Sequence, residues 1–128
     1  MKRLGIKVAL IDDSSIIRNS IQEIISIWGY DVVLEAVNGK DFFSRLTSAN
    51  APDICITDLN MPVMDGFETI KELREKWPHV KVIAFSISGN KREEERALLL
   101  GAHAFVSKSA SIHELHRSLQ KMNQTTPL

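Results

Sequence analysis

Hydrophobic residues in this chain form short uninterrupted runs, and these runs alternate with longer segments in which apolar residues recur every three or four positions. A short apolar run without polar alternation predicts a strand buried on both faces, whereas the longer spacing predicts an amphipathic helix. The predicted strands begin near Ile6, Asp31, Asp53, Val80 and His103. The pattern therefore predicts a strand followed by a helix, repeated five times.

The first predicted helix has the clearest periodicity and the clearest ends. Ser14 or Ser15 is available as its N-cap, and Gly29 is placed to end it. Its apolar stripe consists of Ile17, Ile21, Ile24, Ile25 and Trp28. One face of this helix is therefore expected to pack on the sheet.

The same spacing predicts four further helices. They cover Lys40 to Ser48, Phe67 to Trp77, Lys91 to Leu100 and Ser111 to Met122. Strands that alternate with helices of this length favour a parallel sheet with right-handed crossovers and helices on both faces. The predicted fold class is α/β, with a single domain over residues 1–122 and a polar tail or linker start over residues 123–128.

Composition narrows the functional classes. The 128 residues carry 16 basic and 16 acidic side chains, and this balance argues against direct nucleic-acid binding as the main role. The single cysteine, Cys55, lies within an apolar run and is expected to be a buried hydrophobic residue in a reducing compartment. The N-terminal segment lacks the apolar stretch of a signal peptide, and no apolar stretch is long enough to span a membrane. A soluble, cytoplasmic protein without membrane contact is expected.

Carboxylates follow two of the predicted strands directly. Asp12 and Asp13 come after the first apolar run, and Asp58 comes after the third. The carboxyl ends of parallel strands lie at one edge of the sheet, where ligands of such sheets bind. Turn and N-cap preferences explain any one of these acids, but they explain the combination poorly. The three acids are therefore interpreted as a binding site.

The loop that starts at Asp58 has the pattern D-x-x-M-P-x-M-D-G. Pro62 and Gly66 favour a turn between the third strand and the third helix. Asp65 is placed to cap that helix. This segment is too specific in its composition to be treated as a generic loop.

Five positions together carry a resemblance to a known family. The chain has Asp12-Asp13, then Asp58 at the head of the loop motif, then Ser86 after the fourth apolar run, and Lys108 after the fifth. This order resembles response-regulator receiver domains of two-component signalling, of the chemotaxis-receiver type. The match extends from position 7 to about position 122. The resemblance implies a five-stranded parallel sheet in the order 2-1-3-4-5.

The resemblance assigns a phosphoacceptor and a metal site. Asp58 is implied to attack a partner's phosphohistidine and to become an acyl phosphate. Asp12, Asp13, Asp58 and the backbone carbonyl of Asn60 are implied to bind Mg²⁺, with Mn²⁺ as a substitute. Crowded carboxylates that receive a dianionic phosphoryl group need a cation, and Mg²⁺ prefers a few carboxylates together with phosphate oxygens.

The resemblance also implies a response to phosphorylation. Lys108 and Ser86 would each contact a phosphoryl oxygen, and Phe105 would turn inward when Ser86 moves. The surface formed by the fourth helix, fifth strand and fifth helix would change as a result. Asn60 and Ser88 are expected either to tune the lifetime of the phosphoryl group or to be ordinary polar loop residues.

One position departs from the family pattern. The family usually has a proline in a cis bond after the lysine, whereas Ser109 follows Lys108 here. A cis bond to a residue other than proline costs about 3 kcal/mol. A trans Lys108–Ser109 bond is therefore expected, with the lysine oriented by the local loop. The charged run over residues 91–96 is better explained as a solvated first helical turn than as a docking site, and it is given no function.

Two other functions are weighed against the phosphoaccepting module. A magnesium-dependent aspartyl-phosphate phosphohydrolase normally has two acids spaced two apart after the first strand and a cap, which Asp12-Asp13-Ser14 and this chain length do not match. A degenerate receiver that acts as a constitutive interaction module would not need the full acid set. The phosphoaccepting function is therefore preferred, with chemistry directed only at the chain itself.

The expected partner is a sensor histidine kinase or a histidine phosphotransfer protein. The downstream output stays open, as does the choice between a stand-alone receiver and a domain excised from a DNA-binding regulator. The absence of proline after Lys108 slightly favours a domain excised from a DNA-binding regulator. Whether phosphorylation produces a dimer is also open, and the fourth and fifth helices are the first surface to test.

Overall fold

The apolar runs form the strands and the periodic segments form the helices. The computed structural model describes residues 3–87 and 90–124. The strands are β1 (Lys7–Ile11), β2 (Asp31–Ala36), β3 (Ile54–Thr57), β4 (Lys81–Ser86) and β5 (Ala104–Ser107). The helices are α1 (Ser15–Ile27), α2 (Gly39–Arg45), α3 (Gly66–Lys76), α4 (Lys91–Leu100) and α5 (Ile112–Gln124). In this part of the chain, each helix is too short or too polar to cross a lipid bilayer.

The five strands form one parallel sheet in the order β2-β1-β3-β4-β5. This confirms the predicted fold class and strand order. In the register, Ile11 lies beside Thr57, and Thr57 lies beside Ala84 on the next strand. The central strands therefore end almost level with one another. All five carboxyl ends lie at the same edge of the sheet.

The sheet separates two hydrophobic layers because successive residues of a strand point to opposite faces. On β1, Ala9 and Ile11 belong to the layer under α2, α3 and α4, whereas Val8 and Leu10 belong to the layer under α1 and α5. Every residue of β3 is buried, including Cys55 as predicted. Both faces of the sheet are thus covered by helices, as an all-parallel sheet requires.

Side chains cap the helices near the carboxyl edge. Ser14 caps α1 by accepting a hydrogen bond from the Ile17 N–H, which decides between the two predicted serines. Asp65 caps α3 by accepting from the Glu68 N–H, as predicted. These caps satisfy N–H groups that have no partner within the helix. They also fix where each helix leaves the functional edge of the sheet.

The second helix is shorter than predicted. It ends at Arg45 rather than at Ser48, because Leu46 has an extended backbone. The side-chain amide of Asn50 donates to the Arg45 carbonyl at 2.9 Å, and its oxygen accepts from the Thr47 N–H at 2.7 Å. This local turn satisfies the helix end and directs the chain toward β3.

Helices α1 and α5 contact each other at the amino edge of the sheet. The rings of Trp28 and His116 stack with centroids 3.9 Å apart and planes 6° from parallel. Close by, the Asn123 amide donates to the Tyr30 hydroxyl at 2.9 Å. The Lys81 ammonium donates to the Met122 carbonyl at 3.0 Å, near the end of α5. These contacts hold α5 against the sheet at the end opposite the acids.

His103 extends the hydrogen bonding between β4 and β5 by one residue. Its backbone N–H donates to the Val82 carbonyl at 2.8 Å, and its Nδ1 accepts from the Val82 N–H at 3.0 Å. Protonation of Nδ1 would remove this acceptor. Burial, with the charges of Arg74 and Lys81 nearby, lowers the pKa of His103.

This contact predicts a pH dependence of stability. Because the pKa of His103 is lower in the folded state, the unfolded state binds more protons just below the ordinary histidine pKa. The contribution of neutral His103 to the free energy of unfolding is complete above about pH 6.5. It is lost as the pH falls from there toward the pKa of His103 in the folded state. When the pH is lowered from neutral to mildly acidic, the Tm of His103→Gln should therefore fall less than the Tm of the wild type. Equal pH profiles would contradict the assignment.

Candidate functional site

The predicted site residues converge at the carboxyl edge of the sheet. Asp12 and Asp13 follow β1, Asp58 follows the adjacent β3, Ser86 ends β4, and Lys108 follows β5. The strand order therefore brings together residues that are up to 96 positions apart in the chain. Parallel sheets of this type place their ligand sites at this edge.

Three carboxylates form the centre of the site. Asp12, Asp13 and Asp58 each contribute a carboxylate oxygen to a set in which all the oxygens lie within 4.8 Å of one another. Asp12 and Asp58 are only 6% and 7% exposed, whereas Asp13 is exposed. Two charges at this separation repel by about 3 kcal/mol at an effective dielectric constant near 20. The group therefore requires positive charge close by.

Lys108 supplies positive charge to two of the acids. Its Nζ lies 2.8 Å from Asp12 Oδ2 and 3.5 Å from Asp58 Oδ2, and its side chain is 10% exposed. Its backbone N–H donates to the Ser86 carbonyl at 2.7 Å. The ammonium therefore reaches the acids from a main-chain position that is tied to β4.

The loop after Lys108 explains how the lysine is oriented without the usual proline. The Lys108–Ser109 bond is trans, which confirms the prediction. Ser107 Oγ lies 2.7 Å from Ser109 Oγ and accepts from the Ser109 N–H at 3.2 Å. The Ala110 N–H also donates to the Ser107 carbonyl, at 3.0 Å. Hydrogen bonds of Ser107 thus form the turn that follows Lys108 in this chain.

The Asp58 carboxylate is bound by its own loop as well as by Lys108. Oδ1 accepts from the Leu59 N–H at 2.8 Å and from the Asn60 N–H at 3.4 Å. Burial raises the pKa of Asp58 and the Asp12 charge raises it further, although the Lys108 charge and the two backbone hydrogen bonds lower it. Together, these effects raise the pKa of Asp58 above the ordinary value. The ionised form of Asp58 is therefore costly until a further positive charge arrives.

Gly66 explains the glycine at the end of the loop motif. A β-carbon at this position would overlap the carbonyl oxygen of Asp58 and would lie 2.6 Å from the Leu59 Cα. The Gly66 N–H donates to the Leu59 carbonyl at 3.0 Å. The start of α3 is therefore packed directly on the backbone of Asp58. Any residue with a side chain at position 66 would prevent this close approach.

Ser86 and Phe105 lie on the side of the site toward α4. Ser86 is fully buried, and its hydroxyl donates to Glu93 Oε1 at 3.4 Å. Phe105 is half-buried and packs against the layer under α2, α3 and α4. Of the other loop residues, Asn60 is exposed directly after the acid-bearing strand, and Ser88 lies outside the described residues.

Sequence reasoning missed two residues near the site. Arg18 Nη1 donates to the Asp12 carbonyl at 2.6 Å, and Arg18 Nε lies 3.4 Å from Glu35 Oε1. The helix dipole disfavours an arginine near a helix N-terminus, so the position of Arg18 was a weak signal of an acceptor close by. Glu93 belongs to the run that was interpreted as solvated, but it is half-buried and contacts Ser86. That interpretation was wrong for Glu93.

Comparison with known proteins gives the family. The model of the response regulator receiver domain matches residues 8–120. The chain belongs to this family and is a receiver domain of the two-component response-regulator type. It is 31% identical over 121 residues to the chemotaxis protein CheY of Thermotoga maritima, with 94% of this chain and all of that protein covered.

A second relative is longer than this chain. The nitrate/nitrite response regulator NarL of Escherichia coli is 34% identical over 115 residues, which are 89% of this chain and 53% of NarL. The chain thus spans about half the length of that relative. Among solved structures, a two-component response regulator of the LuxR family from Aurantimonas has a TM-score of 0.85 and 27% identity. The match covers 91% of this chain and 84% of that one.

The raised pKa of Asp58 predicts that Asp58→Asn stabilises the protein. Because the folded state holds the proton more tightly, ionised Asp58 costs stability above its folded pKa and the cost vanishes at lower pH. At neutral pH and without divalent cations, the variant should gain on the order of 1 kcal/mol, or roughly 4 °C in Tm. The gain should shrink toward pH 4. A destabilised variant at neutral pH would contradict this account.

Proposed function

We propose that this receiver domain accepts a phosphoryl group on Asp58 from a phosphohistidine of a partner protein. The observation that carries the proposal is the convergence of Asp12, Asp13, Asp58 and Lys108, in which three acids and one ammonium surround a single small site. The partner would be a sensor histidine kinase or a histidine phosphotransfer protein.

The acid set fits a hard divalent cation. Carboxylate oxygens are the ligands that Mg²⁺ prefers, and Mn²⁺ accepts the same ligands. Asp12, Asp13, Asp58 and the Asn60 backbone carbonyl would hold the ion. When bound, it would offset the acids and stabilise negative charge on the transferring phosphoryl oxygens. The raised pKa of Asp58 supports the fit, because burial and the Asp12 charge disfavour its ionised form and a bound cation would favour that form again.

The protein residues have separate tasks in the transfer. A carboxylate oxygen of Asp58 attacks phosphorus, the phosphorus–nitrogen bond of the donor histidine breaks, and the nitrogen keeps the electron pair. Lys108 moves its charge from Asp12 and Asp58 to a phosphoryl oxygen. Arg18 donates a hydrogen bond to the backbone carbonyl of Asp12 and so helps to position that residue. Transfer depends mainly on positioning and charge stabilisation.

The acyl phosphate then biases a conformational equilibrium. The Ser86 hydroxyl donates to a phosphoryl oxygen, and the space that its movement opens is filled by the Phe105 ring. The surface made of α4, β5 and α5 changes with it. Phe105 has no hydroxyl, so its contribution to this surface is packing alone. Loss of the phosphoryl group to water resets the domain, and no separate substrate is turned over.

Family membership favours this function over the phosphohydrolase considered from sequence. The same membership supports a kinase as the partner. The complete acid set continues to argue against a constitutive module. The chemistry is therefore proposed to act on the chain itself.

Phosphoryl transfer to Asp58 is testable by mass. Incubation with acetyl phosphate and Mg²⁺ should add the mass of one phosphoryl group to the wild type and none to Asp58→Asn. Asp53→Asn is the matched control, because Asp53 lies at the opposite end of β3 and its amide replacement can still accept from the Lys7 N–H. That control should be phosphorylated like the wild type. An adduct on Asp58→Asn would reject Asp58 as the acceptor.

Metal binding is testable through stability. At about ten times its dissociation constant, Mg²⁺ should stabilise the wild type by about 1.4 kcal/mol, seen as a rise in Tm of a few degrees. Asp13→Ala should lose most of this rise without unfolding, because Asp13 is exposed. Glu23→Ala removes an exposed acid from α1 and should keep the full rise. The metal assignment fails if Asp13→Ala responds to Mg²⁺ as the wild type does.

A further inference from the structure

Ser86 donates its hydroxyl hydrogen to an acid of α4. The donor Oγ lies 3.4 Å from Glu93 Oε1, and Ser86 is fully buried while Glu93 is half-buried. A serine hydroxyl has one hydrogen to donate. While that hydrogen points at Glu93, it is not available to an oxygen at the Asp58 site.

Glu93 is held in place by the start of its helix. Asn90 caps α4, and its side-chain oxygen accepts from the Arg92 N–H at 2.7 Å and from the Glu93 N–H at 3.3 Å. Glu93 is therefore the third residue of the helix, with its backbone fixed by the cap. Its carboxylate has only a short distance to span from this position to the end of β4.

We propose that Glu93 is a positioning residue that holds Ser86 in its resting orientation and competes with the phosphoryl group for the serine hydrogen. The inference rests on the proposed function and deepens it. Phosphorylation must take this hydrogen bond away from Glu93, so part of the interaction energy at Asp58 is used to release the first turn of α4. The acid thereby sets how readily the domain enters its phosphorylated conformation.

The competition follows from the number of donors and from burial. The Ser86 hydroxyl can donate its hydrogen to either anionic acceptor, but only to one of them at a time, and the contact with Glu93 is a long one at 3.4 Å. By linkage, a contact that favours the resting state weakens binding of any phosphoryl mimic by the same factor. The Ser86 hydroxyl hydrogen is thus one link between the end of β4 and the first turn of α4.

The test is a double-mutant cycle between Glu93 and Ser86. The probe is beryllofluoride with Mg²⁺, a stable mimic of the phosphoryl group, and its dissociation constant is measured by titration. Glu93→Ala should bind the probe about three- to ten-fold more tightly than the wild type. Glu93→Gln keeps an acceptor oxygen without the charge, so its gain should be smaller. In a Ser86→Ala background, Glu93→Ala should have no further effect.

Glu94→Ala is the matched control because Glu94 carries the same charge in the same first turn of α4. It should bind the probe like the wild type. Thermal unfolding of every variant checks that the fold is retained, and hydrogen exchange at the start of α4 should increase in Glu93→Ala but not in Glu93→Gln.

Each outcome separates the hypotheses. If Glu93→Ala, Glu93→Gln and Glu94→Ala gained equally in affinity for beryllofluoride, the effect would not depend on the Ser86 contact. That result would overturn the inference. A gain from Glu93→Ala that persists in the Ser86→Ala background would overturn it as well. A wild type that does not bind the probe in Mg²⁺ would reject the proposed function and this inference together, whereas binding without coupling rejects the inference alone.

Discussion

Repulsion among three carboxylates is the constraint on which the rest of this domain depends. The parallel sheet places Asp12, Asp13 and Asp58 within 4.8 Å of one another, and Lys108 offsets part of their charge. A fold that only needed stability would not place ionised groups this way. The hydrophobic layers on both faces of the sheet hold the strand ends in position, and the site uses that rigidity to maintain an unfavourable arrangement of charge.

The loops at this edge connect the acids to the surrounding helices. Gly66 joins the start of α3 to the backbone of Asp58, and the Gly39 N–H of α2 donates to the Met64 carbonyl at 3.1 Å. Ser86 reaches α4 through Glu93. The loop that carries Asp58 is therefore in backbone contact with α3 and α2, and the end of β4 contacts α4 through a longer side-chain interaction.

Much of the fold was predictable because its determinants are local. Apolar runs, caps such as Ser14 and Asp65, and the glycine-containing loop each carry their meaning within a few residues. The end of α2 was missed because the Asn50 side chain, not a helix-breaking residue, ends it. Arg18 and Glu93 were missed for another reason: their partners are a strand-end carbonyl and a buried hydroxyl, which the local charge pattern does not identify. Asp12, Asp13, Asp58, Ser86 and Lys108 were predictable as a set because a family motif joins them.

The stacked pair of Trp28 and His116 gives the domain an optical consequence. The indole on α1 and the imidazole on α5 are parallel and in contact at the edge far from the acids. An indole that is stacked on another ring loses that contact when the ring moves away, so the emission of Trp28 depends on the docking of α5 against α1. In a Trp77→Phe background, where Trp28 is the remaining tryptophan, a displacement of α5 could thus be followed from the end of the molecule opposite the acids, without an added dye.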